Sequence, residues 1–209
     1  MTNNRIKIKE VKNIKIIGTD HLVGKEEIMH IIKNINPDVI GIEACKTRFK
    51  LWTNQMQQID NRKNDNILNK ISEKIKEKAD EEGLDYGADM KTAMFYAINN
   101  NIPLLLLDKD IMEIQKEMQS IPLEETIFLQ KELIKYEKEG INKKVDENEV
   151  IKTMKDKIPI SYKILVEDRN KFISKKIKEG IKKYLNKKIL IFLGRGHIDE
   201  VMKNIENEV

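Results

Sequence analysis

The stretch from Asn13 to Cys45 limits what this chain can fold into more than any other. An apolar run, residues 14–17, ends in Gly18-Thr19-Asp20-His21. A helical period follows, with Ile28, Met29, Ile31, Ile32 and Ile35 returning to one side. Pro37-Asp38 turns the chain into a second apolar run, residues 39–42, which ends in Glu43. A short β-branched run, a helical period and another short β-branched run form the pattern of a β-α-β unit. In open parallel sheets ligands bind outside the carboxyl ends of the strands. Both strands of this unit end there in a group able to bind a metal or move a proton.

The rest of the chain adds two apolar runs and much helix. Residues 102–107 are the most apolar run and read as a strand buried on both faces. Residues 189–193 read as the last strand. The expected fold is α/β: a central, mostly parallel or mixed sheet flanked by helices, with strands near 14–18, 39–43, 102–107 and 189–193. Residues 6–11, IKIKEV, alternate apolar and polar. With Lys12-Asn13 as a tight turn they form an antiparallel edge. The 209 residues suit a single domain, 1–209, with a helical insertion over about 111–180. Its place between two strands predicts a lid over the carboxyl edge. Within it, residues 164–181 read as one long amphipathic helix and 137–149 as an exposed joint. Residues 55–66 carry few apolar groups and read as a mobile loop.

Composition removes some function classes. Lys and Arg total 39 against 35 Asp and Glu, so a net charge of +4 is spread over solvated helix faces. Aromatic residues make up 5%, too few for the stacking platforms of a single-stranded nucleic-acid binder. Cys45 is the single cysteine, so no internal disulfide can form, which fits a reducing compartment. No apolar run reaches the ~18 residues of a membrane span, and the first ten residues lack a signal peptide's apolar region. The expectation is a cytoplasmic protein with a small-molecule or peptide substrate, no nucleic acid and no membrane span. A homodimer is compatible with the sequence.

Gly-x-x-His occurs twice, as Gly18-Thr19-Asp20-His21 after the first core strand and Gly194-Arg195-Gly196-His197 after the last. A glycine there permits a sharp turn that aims the ring back over the sheet edge. Taken singly, each reads as a hydrogen-bonded loop residue. Together with Glu43 after a third strand, they make a two-imidazole, one-carboxylate set of the kind that holds Mn, Co or Zn. An ion so held lowers the pKa of water towards ~7 and supplies a nucleophile. The rival needs no metal: one histidine is the base, and Glu43 orients it or water. His21, Glu43 and His197 are therefore candidate ligands for a divalent metal ion. The same three, with Arg48 and Arg169, are candidate catalytic residues. The arginines would pair with a carboxylate or a tetrahedral oxyanion, or else make structural salt bridges. Asp108, Asp110 and Asp168 are candidate substrate-binding groups. The first two could instead hold imidazole N–H groups, and Asp110 equally reads as a helix N-cap. Asp20 reads as a ligand or a turn cap, Asp89 as a helix cap, and Cys45 as an inert buried thiol. His30 reads as an exposed surface residue.

Six short motifs stand in the order found in the TraB family. They are Ile16-Ile17-Gly18-Thr19-Asp20-His21, the run from Pro37 to Arg48, Gly87-Ala88-Asp89-Met90, Leu107-Asp108-Lys109-Asp110-Ile111, Asp168-Arg169-Asn170 and Gly194-Arg195-Gly196-His197. The chain resembles that family over nearly its whole length. The family includes the PrgY pheromone-shutdown proteins and is related to the Tiki proteases, and more distantly to erythromycin-esterase and ChaN-like proteins. The resemblance implies a metal-dependent hydrolase fold, with peptidase activity in the Tiki branch. It also implies that His21, His197 and Glu43 bind metal and catalyse, with Arg48 and Arg169 at the family's arginine positions. The chain departs from the family pattern with Asp168 and Asp89 where glutamates are usual, and with Val23-Gly24-Lys25 where a serine follows the first histidine. A pheromone-shutdown type that sequesters peptide without cutting it is the alternative.

Overall fold

A computed structural model describes residues 5–55, 67–81, 83, 85–139 and 147–206. Most of the expected loop over 55–66 and the centre of the expected joint over 137–149 lie outside the described residues.

Five strands form one sheet: β1 (Ile6–Val11), β2 (Ile14–Thr19), β3 (Val39–Ile42), β4 (Leu104–Leu106) and β5 (Ile189–Gly194). Their spatial order is β1-β2-β5-β3-β4. β1 pairs antiparallel with β2, and the other pairings are parallel. The first hairpin forms because Lys12 takes a left-handed φ of 52°, so that Val11 pairs directly with Ile14. The sheet is mixed only at that edge, as the alternation of residues 6–11 predicts.

The α/β class follows from how the strands are buried. Every residue of β5 is buried, and the pleat sends alternate side chains to opposite faces. Ile189, Ile191 and Leu193 join one core with α9 (Asp168–Lys183) and α10 (Arg195–Glu206). Leu190 and Phe192 join the other with α1 (Lys25–Ile35) and α4 (Ala88–Asn99). Helices on both faces are what a parallel sheet requires. Ala93 and Ala97 are fully buried on α4, and their small size lets that helix lie close to β3.

Two expectations are corrected. The run over 102–107, expected as a strand buried on both faces, is shorter and less buried: β4 is three residues long, half-buried, and the last strand of the sheet. Both of its faces are packed, Leu104 and Leu106 on one and Leu105 on the other, while among the described residues no strand pairs with its outer edge. Four leucines signal burial of the faces but say nothing of the edge. The helix expected over 164–181 also differs. A π-helical turn, Lys163–Glu167, precedes α9, which begins at Asp168.

The inserted helices are α5 (Ile111–Met118), α6 (Leu123–Glu139), α7 (Glu147–Lys157) and α8 (Pro159–Tyr162). α2 (Lys46–Trp52) and α3 (Ile67–Glu81) follow β3. Ile67, Ile114, Met118 and Ile164 gather α3, α5 and the π-turn into a third apolar cluster, with Leu129 and Leu133 of α6 against it. This layer is attached at the sheet's carboxyl edge. α5 leaves the carboxyl end of β4, and the π-turn enters the amino end of α9, which lies at that same edge. No helix among the described residues is long and apolar enough to cross a membrane.

Candidate functional site

The strand order decides the site. β2, β5 and β3 are immediate neighbours, so His21, His197 and Glu43 leave the sheet side by side. His21 takes a φ of 63°, a left-handed conformation that turns its ring back over the edge. Gly194 leaves the space this needs. A Cβ there would meet His21 Nε2 at 2.9 Å and Glu43 Oε2 at 3.3 Å. Both groups therefore touch one point above the end of β5. His197 Nε2 lies 3.5 Å from Glu43 Oε1.

Each ring is held by a partner on its far nitrogen. Asn170 donates from Nδ2 to Glu200 Oε2 at 2.9 Å, so its oxygen must face His197, and His197 Nδ1 lies 2.6 Å from it. An amide oxygen cannot donate, so Nδ1 carries the proton and Nε2 presents a lone pair to Glu43. His21 Nδ1 lies 3.1 Å from Asp89 Oδ2, which also accepts from the Thr19 hydroxyl. The ionised Asp89 fixes the proton on Nδ1 and leaves Nε2 facing the site. A lone pair and a carboxylate oxygen at 3.5 Å are two acceptors face to face, an arrangement that calls for a proton or a cation between them.

Glu43 is anchored on both oxygens. Arg169 Nη2 donates to Oε1 at 2.5 Å, and the Gly194 N–H donates to Oε2 at 2.6 Å. Burial pushes the Glu43 carboxyl up, but His197, Arg169, His21 and the Gly194 N–H hold it well below the usual carboxylate range. Arg169 reaches Asp108 as well, Nε to Oδ1 at 3.0 Å and Nη2 to Oδ2 at 2.9 Å. Its Nη1 donates to Leu165 O in the π-turn at 3.1 Å. Burial lowers the Arg169 pKa, but Asp108 and Glu43 outweigh it, so the guanidinium is a fixed charge. Burial pushes the His197 pKa down, with the Glu43 charge opposing. At His21 burial also pushes down, but the Asp89 hydrogen bond and charge carry the ring above its ordinary value.

Of the candidate residues, His21, Glu43, His197 and Arg169 come together. Arg48 is half-buried, and its charge is felt at His21 and Tyr86. Asp108 holds Arg169 rather than an imidazole. Asp110 is a cap: its Oδ1 accepts from the Met112 N–H at 2.9 Å, and the Thr47 hydroxyl donates to its Oδ2 at 2.7 Å. Asp168 pairs with Lys163 at 2.8 Å on the surface and takes no part in the cluster. Asp20 caps its own turn through the Leu22 N–H at 3.0 Å. Cys45 is buried and caps α2, accepting from the Arg48 N–H at 3.5 Å. His30 is exposed, with its Nε2 2.8 Å from Asn34 Nδ2.

Sequence reasoning missed three residues. Asp89 is not the cap of α4, which is Gly87; it lies inside the first turn and holds His21. Asn170 and Glu200 set the His197 ring. The run Asp168-Arg169-Asn170 is the signal that could have pointed to Asn170, since residues 169 and 170 lie on the same helical turn. Tyr86 stands edge-on to His21, with ring centroids 6.4 Å apart.

Two imidazole nitrogens and one carboxylate are ligand types that suit Mn, Co or Zn. The surrounding carboxylates Asp89, Asp108 and Glu200 outnumber Arg169, so the cluster favours added positive charge. Among the described residues, no three His, Cys, Asp or Glu side chains are gathered as tightly as a coordinated ion holds them, and Arg169 and the Gly194 N–H occupy Glu43. The ligand types fit; the present packing of Glu43 is that of an ion pair.

The fold and site together define an α/β protein with a polar, partly charged cluster at the carboxyl edge of its sheet. No family model matches the chain. It is similar to an uncharacterized protein of Methanocaldococcus jannaschii, at 27% identity over 219 aligned positions that take in 93% of this chain and 54% of the relative. The chain thus spans about half the length of the curated relative it matches.

Proposed function

We propose that this chain is a metal-dependent hydrolase of the TraB and Tiki type, acting on a peptide or another amide. One observation carries the reading: two imidazoles, one in the turn after β2 and one in the first turn of α10, have Nδ1 held by Asp89 and Asn170, and both present Nε2 beside Glu43. Purely structural histidines need no such shared aim. His21, His197 and Glu43 would hold the ion. When bound, it would act as a Lewis acid and lower the pKa of water towards ~7. The chain's own groups do the rest. Asp89 and Asn170 keep the rings oriented. Arg169 offers a fixed positive charge to an oxyanion, and Arg48 adds a second cation nearby. Glu43, held strongly ionised, is a weak base at neutral pH, which favours a ligand or electrostatic role.

The test is elemental analysis of the untreated protein, followed by incubation with a mixed peptide library and Mn, Co or Zn. The expected outcome is bound metal and new peptide termini. His21→Ala or His197→Ala should lose both while melting at nearly the parent temperature. A metal-free protein that makes no new termini under any of the three ions sinks the reading.

A second reading rests on the Arg169–Glu43 pair. With both Glu43 oxygens occupied, the same edge could bind a peptide without cutting it, as in pheromone shutdown. Saturable peptide binding with no new termini would select it.

A further inference from the structure

The open edge of the sheet carries groups that the catalytic reading leaves unused. Among the described residues β4 bonds only to β3: the Ile40 N–H donates to Pro103 O at 3.0 Å and the Leu107 N–H to Ile42 O at 3.1 Å. Alternate residues of a parallel strand face its partner. The N–H and C=O groups of Leu104 and Leu106 therefore point outward. Among the described residues no turn, loop or side-chain hydrogen bond reaches them.

A cavity of about 580 Å³ lies there, lined by Leu104, Leu105, Leu106 and Leu107 in succession. Consecutive strand side chains point to opposite faces, so only a backbone edge brings all four to one space. Phe172, Lys176, Gly180 and Lys183 of α9 form one wall. Gly180 lets that wall lie close against β4, since a Cβ there would lie 2.7 Å from Leu105 Cδ1.

The charge along the groove changes sign. α9 runs opposite to β4, so its later residues lie at the amino end of the strand. At the carboxyl end Asp110 and Glu113 outnumber Lys46, Asp108 being held by Arg169; at the other Lys183 remains, since Lys176 and Glu179 pair with each other at 2.8 Å. The groove is also continuous with the site, because Asp108 lines it and holds Arg169, which holds Glu43.

We propose that an extended peptide docks here by adding a strand to β4, antiparallel to it, with its amino terminus towards Asp108 and its carboxylate towards Lys183. Backbone pairing with Leu104 and Leu106 supplies affinity without fixing side-chain identity. The acidic end takes the ammonium and the basic end the carboxylate. At ~3.3 Å per residue, the edge from 102 to 108 admits about six residues. The role of this peptide as substrate rests on the hydrolase reading; the docking has its own measurement.

That measurement is residue-resolved amide exchange on the full chain with a random hexapeptide library bearing free termini, and with the same library N-acetylated. The Leu104 and Leu106 amides should slow about tenfold when the library stands tenfold above its Kd, while Leu105 and Leu107, already bonded to β3, stay unchanged. Acetylation and the exposed change Glu113→Lys should each weaken the protection several-fold. Leu106→Pro removes an outward N–H that an edge strand does without and should abolish it. Lys183→Glu, on an exposed residue, should weaken it even if the proline variant fails to fold. Unchanged exchange at Leu104 and Leu106 overturns the proposal. So does protection that grows with protein concentration alone, which assigns the edge to a second copy. Equal protection by the acetylated library overturns the orientation. Protection without cleavage keeps the groove and removes the hydrolase reading; cleavage without protection does the reverse.

Discussion

Arg169 is the side chain on which the buried charges of the site depend. It neutralises Glu43 and Asp108 together. Arg169→Ala leaves two buried carboxylates without their cation, and breaking such a pair costs about 3–5 kcal/mol. The midpoint of urea unfolding should fall accordingly. Arg169→Lys should recover part of the stability but not the fork that spans both acids, because a lysine offers a point charge. Asn170 acts differently, through His197. Asn170→Ala frees the ring to take either tautomer and should weaken metal retention about 10–100-fold, the usual effect of losing such a partner. Elemental analysis after dialysis against a graded chelator reads that loss. Nitrogen chemical shifts of the His197 ring should show a single Nδ1-protonated form in the parent and a mixture in the variant.

Among the elements, α6 and α8 are joined by one buried carboxylate. Glu125 accepts from the Ile160 N–H at 2.9 Å, the Ser161 N–H at 2.7 Å and the Ser161 hydroxyl at 2.6 Å. These amides lie in the first turn of a helix, where no intrahelical acceptor exists. Burial pushes the Glu125 carboxyl up, but the Ser161 and Ile160 bonds bring it below its ordinary 4.5. A carboxyl depressed on folding adds stability above pH 4.5 that is lost as pH falls through the lower folded value. Glu125→Gln should therefore cost about 1–3 kcal/mol at neutral pH and flatten the pH dependence of unfolding below 4.5. Denaturant titrations at several pH values check both. A second contact sets β2 against α10. A Cβ on Gly18 would lie 2.1 Å from Ile198 Cδ1 and 3.0 Å from the Arg195 Cα. Gly18→Ala should destabilise by about 1–3 kcal/mol through overpacking, seen as a lower melting temperature.

At the scale of the whole molecule there are two large cores, one on each face of the sheet, and a smaller cluster in the helical layer at the carboxyl edge. Regions with few buried apolar contacts open at lower free energy. Native-state hydrogen exchange should show α6 opening at lower denaturant than β5, whose residues are all buried. Coincident opening of the two would mean that the layer is no separate unit and could not move as a lid.

The sequence by itself determined the α/β class, the hairpin at Lys12 and the polar group at the end of each strand. These depend on neighbours along the chain: the period of apolar residues, the φ available at a turn, and the residue that follows a strand. Only the tertiary structure decided that β2, β5 and β3 are adjacent, which brings His21, His197 and Glu43 to one point. It also chose Arg169 over Asp168, because the phase of α9 against the sheet turns one inward and the other to solvent. Asp89 read as a cap because its partner is 68 residues away, beyond any local pattern. The run over 102–107 showed that both faces of β4 are covered but not that β4 is the last strand, because apolar content reports the burial of faces, whereas a strand's place in the sheet depends on which edges find partners.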